Sequence, residues 1–143
     1  MKVIPIEQII ATEPDHARLP FEPQYDHGSA FVIDSYCGLD DAAVPIVDTG
    51  FMHADAAYDV ISTSKGVFFR LDDHLERFEN SCKKFRLKNP YSREQTTEIL
   101  TNLVKLAGTK DSYVWFAVTR EIMPDERSDI DAYQGRYARP LAA

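Results

Sequence analysis

The residues with the most chemical potential in this sequence fall between His53 and Trp115. Arg77 closes the run His74-Leu75-Glu76-Arg77, and a guanidinium offers a fixed fork of donors with a permanent charge, which suits an oxyanion. The plainer reading of Arg77 is an exposed side chain paired with Asp73 or Ser81 one helical turn away. His53 and Tyr58 stand on a bend and on the strand that follows it, with Val60 on the same strand face as Tyr58 by period-two alternation. Each has a plain alternative, Tyr58 as core and His53 as a surface turn residue. Tyr113 and Trp115 share a face of a second strand, where indole supplies apolar surface and a single donor. Asp55 and Asp59 could pass for a metal pair, but no third ligand has suitable spacing, and no metal is expected. Cys37, Ser62, Ser64 and the histidines show no nucleophile–base spacing, and neither a phosphate-binding glycine loop nor a nucleophile elbow is present.

These side chains need a scaffold, and the pattern supplies one. Tyr58 to Ser64 alternates as a strand, turns at Lys65-Gly66 and continues as Val67 to Leu71. A helix follows, with Leu75, Phe78, Cys82 and Phe85 as its apolar stripe and Arg77 off it. Asn89-Pro90 stops helical geometry; Ser92 and Gln95 then match a capping box, and Gly108 stands where the second helix should end. From Ser112 to Arg120, Val114, Phe116 and Val118 fall on one strand face, with Tyr113, Trp115, Ala117 and Thr119 on the other. Earlier, Ala30 to Ile33 and Tyr36 to Leu39 form a hairpin through Asp34-Ser35, and Val44 to Val47 forms a short extended segment limited by Pro45. The fold class is therefore α+β, a largely antiparallel sheet of hairpins covered on one face by two helices. Residues 1–27, with four prolines, read as an arm, 28–121 as the domain, and 122–143 as an irregular tail.

Composition narrows the function classes. A chain of 143 residues, 44% hydrophobic, can build one core. A net charge of −7 without clustered Lys and Arg argues against nucleic acid as a partner. No apolar run spans a bilayer, and Pro5 and Glu7 interrupt what would be the core of a signal peptide, so no membrane association and a cytoplasmic location are expected, with both cysteines reduced.

Gly50-Phe51-Met52-His53-Ala54-Asp55, continued by Tyr58-Asp59-Val60-Ile61 and Phe69-Arg70-Leu71-Asp72-Asp73-His74-Leu75-Glu76-Arg77, resembles the N-terminal domain of the class IV, or fold-type IV, pyridoxal-phosphate aminotransferases. The likeness runs from about Gly28 to Arg120 and is strongest to the (R)-selective amine transaminases, which are related to branched-chain and D-amino-acid aminotransferases. It implies pyridoxal 5'-phosphate as cofactor, Arg77 as its phosphate ligand, and His53, Tyr58, Val60, Tyr113 and Trp115 around the substrate, an amine or amino acid with a keto acid as acceptor. It also implies a homodimer. Trp115 departs from the arginine or acidic residue common at that position in the family, and Glu121 from a usual glycine. The family's Schiff-base lysine sits in a C-terminal domain, and Lys2, Lys65, Lys83, Lys84, Lys88, Lys105 and Lys110 are poorly placed for that role, so these 143 residues alone are expected to be inactive. Two other readings stay open: a non-catalytic relative acting as a dimerising module, and a lyase of the same family such as aminodeoxychorismate lyase.

Overall fold

The computed structural model describes residues 22–32, 34–120 and 140–142; the expectations for residues 1–21 and 121–139 lie outside them. The described residues form six strands: β1 (Ser29–Val32), β2 (Ser35–Gly38), β3 (Ala56–Ser64), β4 (Val67–Phe68), β5 (Ser112–Thr119) and β6 (Pro140–Ala142). They form one sheet in the order β2-β1-β6-β5-β3-β4, and every neighbouring pair is antiparallel. Helix α1 (Thr49–His53) precedes β3, and α2 (Leu71–Phe85) and α3 (Arg93–Ala107) separate β4 from β5. The fold is α+β, as the pattern implied. No helix among the described residues is long and apolar enough to cross a membrane.

One sheet face carries the core. Leu71, Leu75, Phe78 and Cys82 of α2 and Ile99, Leu100, Leu103 and Val104 of α3 bury against Ala57 and Ile61 of β3 and Val114, Phe116 and Val118 of β5. Phe78 meets Phe116 edge to face, with centroids 4.9 Å apart. Ser92 accepts from Gln95 N–H while the Gln95 side chain accepts from Ser92 N–H, the reciprocal cap that the sequence pattern implied. Gly108 closes α3 in the left-handed region.

Several local expectations need correction. Phe85 is 59% exposed: Arg86 adopts φ 56°, and Leu87 N–H donates to Cys82 O at 2.8 Å, so the chain doubles back and buries Leu87 where the stripe would have continued. The Asp48-Thr49-Gly50 bend is the start of α1, capped by Asp48 Oδ1 accepting from Gly50 and Phe51 N–H. Of the extended segment expected over Val44 to Val47, Ile46 and Val47 form a turn instead, with Asp48 N–H donating to Pro45 O. Leu71 starts α2 and is not part of β4. The expected irregular tail fails at residues 140–142, which form β6 between β1 and β5; two facing strands left an unpaired row of backbone donors and acceptors that a third segment satisfies. At the end of the expected arm, Pro23–Tyr25 forms a 3-10 turn and Tyr25 is buried.

Candidate functional site

The sheet's other face is only partly covered, and its residues come from alternate positions of β3 and β5. Register places Tyr58 opposite Ala117, Val60 opposite Trp115 and Ser62 opposite Tyr113. Four of the expected pocket residues, Tyr58, Val60, Tyr113 and Trp115, thus share one surface. Tyr58 and Trp115 pack ring against ring with centroids 6.1 Å apart. Ala117 and Thr119 on the same strand are buried instead, and Thr119 Oγ1 donates to Asp48 Oδ2 at 2.8 Å beneath α1. His53, in the last turn of α1, is exposed and does not line the cleft described next.

Beside this surface, where β3 has only the two-residue β4 as its outer neighbour, an open cleft of about 640 Å³ is lined by Val60, Ser62, Phe69, Arg70, Asp73, His74, Arg77 and Tyr113. Helix α2 builds its far wall. Of the residues singled out from sequence, Arg77, Val60 and Tyr113 line it, while Tyr58 and Trp115 continue its sheet side one register step away.

The Arg77 guanidinium is held by a residue on the neighbouring strand; Asp73 pairs with Arg70, and Ser81 Oγ donates to the Arg77 carbonyl instead. Arg77 Nε donates to Asp59 Oδ2 at 2.7 Å and its Nη2 to Oδ1 at 2.6 Å, a two-pronged pair. His74 Nδ1 lies 2.9 Å from Asp59 Oδ1, and Val60 N–H donates to the same oxygen at 2.6 Å. The Asp59 side chain is 2% exposed, whereas that of Arg77 is 65% exposed. Burial works against the Asp59 charge, but the hydrogen bonds from Arg77, His74 and Val60, with the Arg77 charge, outweigh it and hold the carboxyl below the usual carboxylate range. The same bonds push the Arg77 guanidinium further up. No described residue takes a hydrogen bond from Arg77 Nη1, and the side chain lines the cleft at 65% exposure, so the guanidinium keeps donors to spare. Such a guanidinium fits a phosphate oxygen; it does not bind one alone.

The two aspartates weighed as a metal pair go to different arginines. Asp55 takes Nε and Nη2 of Arg120, which also donates to Phe85 O and Arg86 O and so ties the end of α2 to the start of β3. Sequence reasoning gave Arg120 no role. It also missed Asp59 as the organiser of the cleft. The available signal was an acidic residue on the inward face of β3, between Ala57 and Ile61, which requires a partner when buried.

Comparison with known proteins follows the same residues. The family model described as Amino-transferase class IV matches residues 56–141. A D-alanine aminotransferase of Listeria monocytogenes serotype 1/2a (strain 10403S) is 35% identical over 83 residues, covering 58% of this chain and 29% of the relative. Among solved structures, the branched-chain aminotransferase of Thermoproteus uzoniensis with norvaline superposes with a TM-score of 0.67 at 22% identity, over 81% of this chain and 39% of that one. A branched-chain amino acid aminotransferase from T.th., solved with pyridoxamine 5'-phosphate, gives 0.66 at 19% identity, over 80% and 39%. The chain therefore spans under half the length of each of these proteins.

Proposed function

The chain belongs to the class IV aminotransferases, and from that premise we propose that it is the cofactor-phosphate and substrate-side portion of a pyridoxal-phosphate-dependent transaminase that moves an amino group from an amine or amino acid to a keto acid. The observation that carries the reading is the Asp59–Arg77 pair. A cation locked in place by a buried carboxylate, with donors to spare, is preorganised for a phosphate group. In this reading the small domain comprises residues 28–121 with the strand 140–142, and the protein works as a cytoplasmic homodimer.

Pyridoxal phosphate, when bound, supplies the electron sink that makes a carbon–hydrogen bond next to nitrogen labile. This chain's residues bind and orient. Arg77 would hold the phosphate through the donors that Asp59 leaves unused, while Asp59 keeps the guanidinium from swinging. Val60, Trp115 and Tyr58 offer an apolar wall for the amino donor's substituent, and Ser62 and Tyr113 add hydroxyls. None of the described lysines lines the cleft, so proton transfer at the reacting carbon falls to a group outside these residues. With Trp115 where a carboxylate-gripping arginine would stand, the likeness to amine transaminases supports an apolar or aromatic donor.

The test is a cofactor titration of the full-length protein and its Arg77→Ala variant. Losing a charge-assisted contact should raise the dissociation constant by roughly one to two decades, while affinity for pyridoxal, which has no phosphate, should change little. A variant that folds and keeps the parent's affinity for the phosphorylated cofactor would refute the assignment.

A further inference from the structure

The charges along the cleft wall cancel. Arg77 is matched by Asp59, and Arg70 by Asp73, whose Oδ2 accepts from Arg70 Nε. No other Lys, Arg, Asp or Glu is among the residues that line the cleft. A doubly charged phosphate arriving there meets directed donors on a wall with no net charge. One lining residue can change that, and it is His74.

His74 precedes Arg77 by one turn of α2, and its side chain is 17% exposed. Its Nδ1 lies 2.9 Å from Asp59 Oδ1. A carboxylate oxygen only accepts, so Nδ1 carries the hydrogen and the neutral ring has a lone pair on Nε2. Arg77 Nη2, 3.0 Å from Nδ1, is a second donor to the same oxygen, so the two side chains share Oδ1 and do not bond to each other. Asp59 is held below the usual carboxylate range, and it therefore keeps its charge through the interval in which imidazoles titrate, about pH 5 to 8. A proton on Nε2 makes Asp59 balance two cations in place of one, and the wall gains a net positive charge. The charged and titratable groups round the ring are Asp59 of β3, Arg70 of the turn before α2, Asp73 and Arg77 of α2 and Tyr113 of β5. The two arginines oppose that proton and the two aspartates favour it; a phosphate bound beside Arg77 adds negative charge and favours it further.

We propose that His74 is a positioning residue that charges the cofactor-phosphate site: its imidazolium, held on Asp59, offsets that carboxylate and leaves the Arg77 charge for the phosphate, so that phosphate binding draws a proton onto the protein. This rests on the transaminase reading and adds a regulation to it. Relative to the unphosphorylated cofactor, affinity for the phosphorylated one falls as pH rises through the range in which imidazoles lose their charge.

The experiment is calorimetry of the full-length protein with pyridoxal phosphate at about pH 7.5, where a phosphate monoester is already close to doubly charged. Two buffers of different ionisation enthalpy give the protons taken up, and pyridoxal, which lacks only the phosphate, sets the baseline. The parent should take up more protons with the phosphorylated cofactor than with pyridoxal; no excess overturns the proposal. His74→Asn keeps an N–H donor for Asp59 and cannot become charged. Its excess should vanish, and its ratio of pyridoxal phosphate to pyridoxal affinity should be severalfold below the parent's at about pH 7 and equal to it at about pH 9. An excess that persists in the variant, or a ratio lowered equally at both pH values as a merely structural role would give, overturns the proposal. If the parent does not favour the phosphorylated cofactor at all, the phosphate-site reading is what fails, and His74 is then read directly: its ring Cε1–H resonance should titrate at higher pH in inorganic phosphate than in chloride of the same ionic strength. Equal midpoints overturn it.

Discussion

Asp59 offers the sharpest test of how the cleft is built, because one buried carboxylate orients two residues of α2. Replacing it with Asn keeps the shape and removes the charge. Both carboxylate oxygens now accept, Oδ2 from Arg77 Nε and Oδ1 from Arg77 Nη2, Val60 N–H and His74 Nδ1. An amide can satisfy one side only; whichever way it lies, its NH2 faces donors. The loss is one or more charge-assisted bonds plus a donor left facing a donor, about 2–4 kcal/mol at neutral pH, with the solvent around Arg77 keeping it at the lower end. For a domain of this size that corresponds to roughly 10 °C in Tm. The pH dependence gives an independent sign. Because the folded-state carboxyl is held below its ordinary range, the unfolded chain takes up this proton first as pH falls. The stabilisation is complete above about pH 4 and is lost as pH drops through the folded value. Urea unfolding of parent and Asp59→Asn at pH 7, 5 and 3 should show the gap between them closing towards low pH. Equal midpoints at pH 7, or a gap constant across the series, would mean that Asp59 does not hold Arg77 in solution.

Two further outcomes follow from the same geometry. Trp115→Arg should shift kcat/KM from an aryl-alkyl amine towards an α-amino acid, because it places a cation opposite Val60 on the open face; an unchanged ratio would show that residue 115 does not meet the donor. Ser92→Ala should remove the reciprocal cap of α3 and cost about 1 kcal/mol in urea unfolding, with an unchanged m-value.

Where sequence periodicity is long it predicts the element well, and where a position is settled by a distant contact it does not. The eight residues of β5 and the capped fifteen of α3 announce themselves through alternation, a serine–glutamine box and a terminal glycine. Phe85 fits the α2 stripe by spacing, yet the stripe ends because Arg86 turns left-handed and Arg120, from the far end of β5, takes the carbonyls of residues 85 and 86. Nothing within a helical window contains Arg120. Strand β6 is three residues long and begins with a proline; its place is set by the gap between β1 and β5, which no local pattern states.

The site divides along the same line. Tyr58, Val60, Tyr113 and Trp115 were readable because period-two alternation fixes strand faces, and the register merely brings two predicted faces together. Arg77 is readable as a candidate but not in its partner, since helical spacing points to Asp73 and Ser81 while the real one lies eighteen residues back on β3. The missing step is a physical one. Asp59 occupies an inward position of a strand whose other inward residues include Ala57, Ile61 and Thr63, and a buried carboxylate demands a cation from whatever element packs over it. The helix that follows β4 must cover β3, and its off-stripe cations are Arg77, Lys83 and Lys84, of which only Arg77 has a fork that can take both oxygens of a carboxylate. Pairing the strand's misplaced charge with the helix's off-stripe charges therefore narrows the partner of Asp59 to three residues, and the structure selects Arg77.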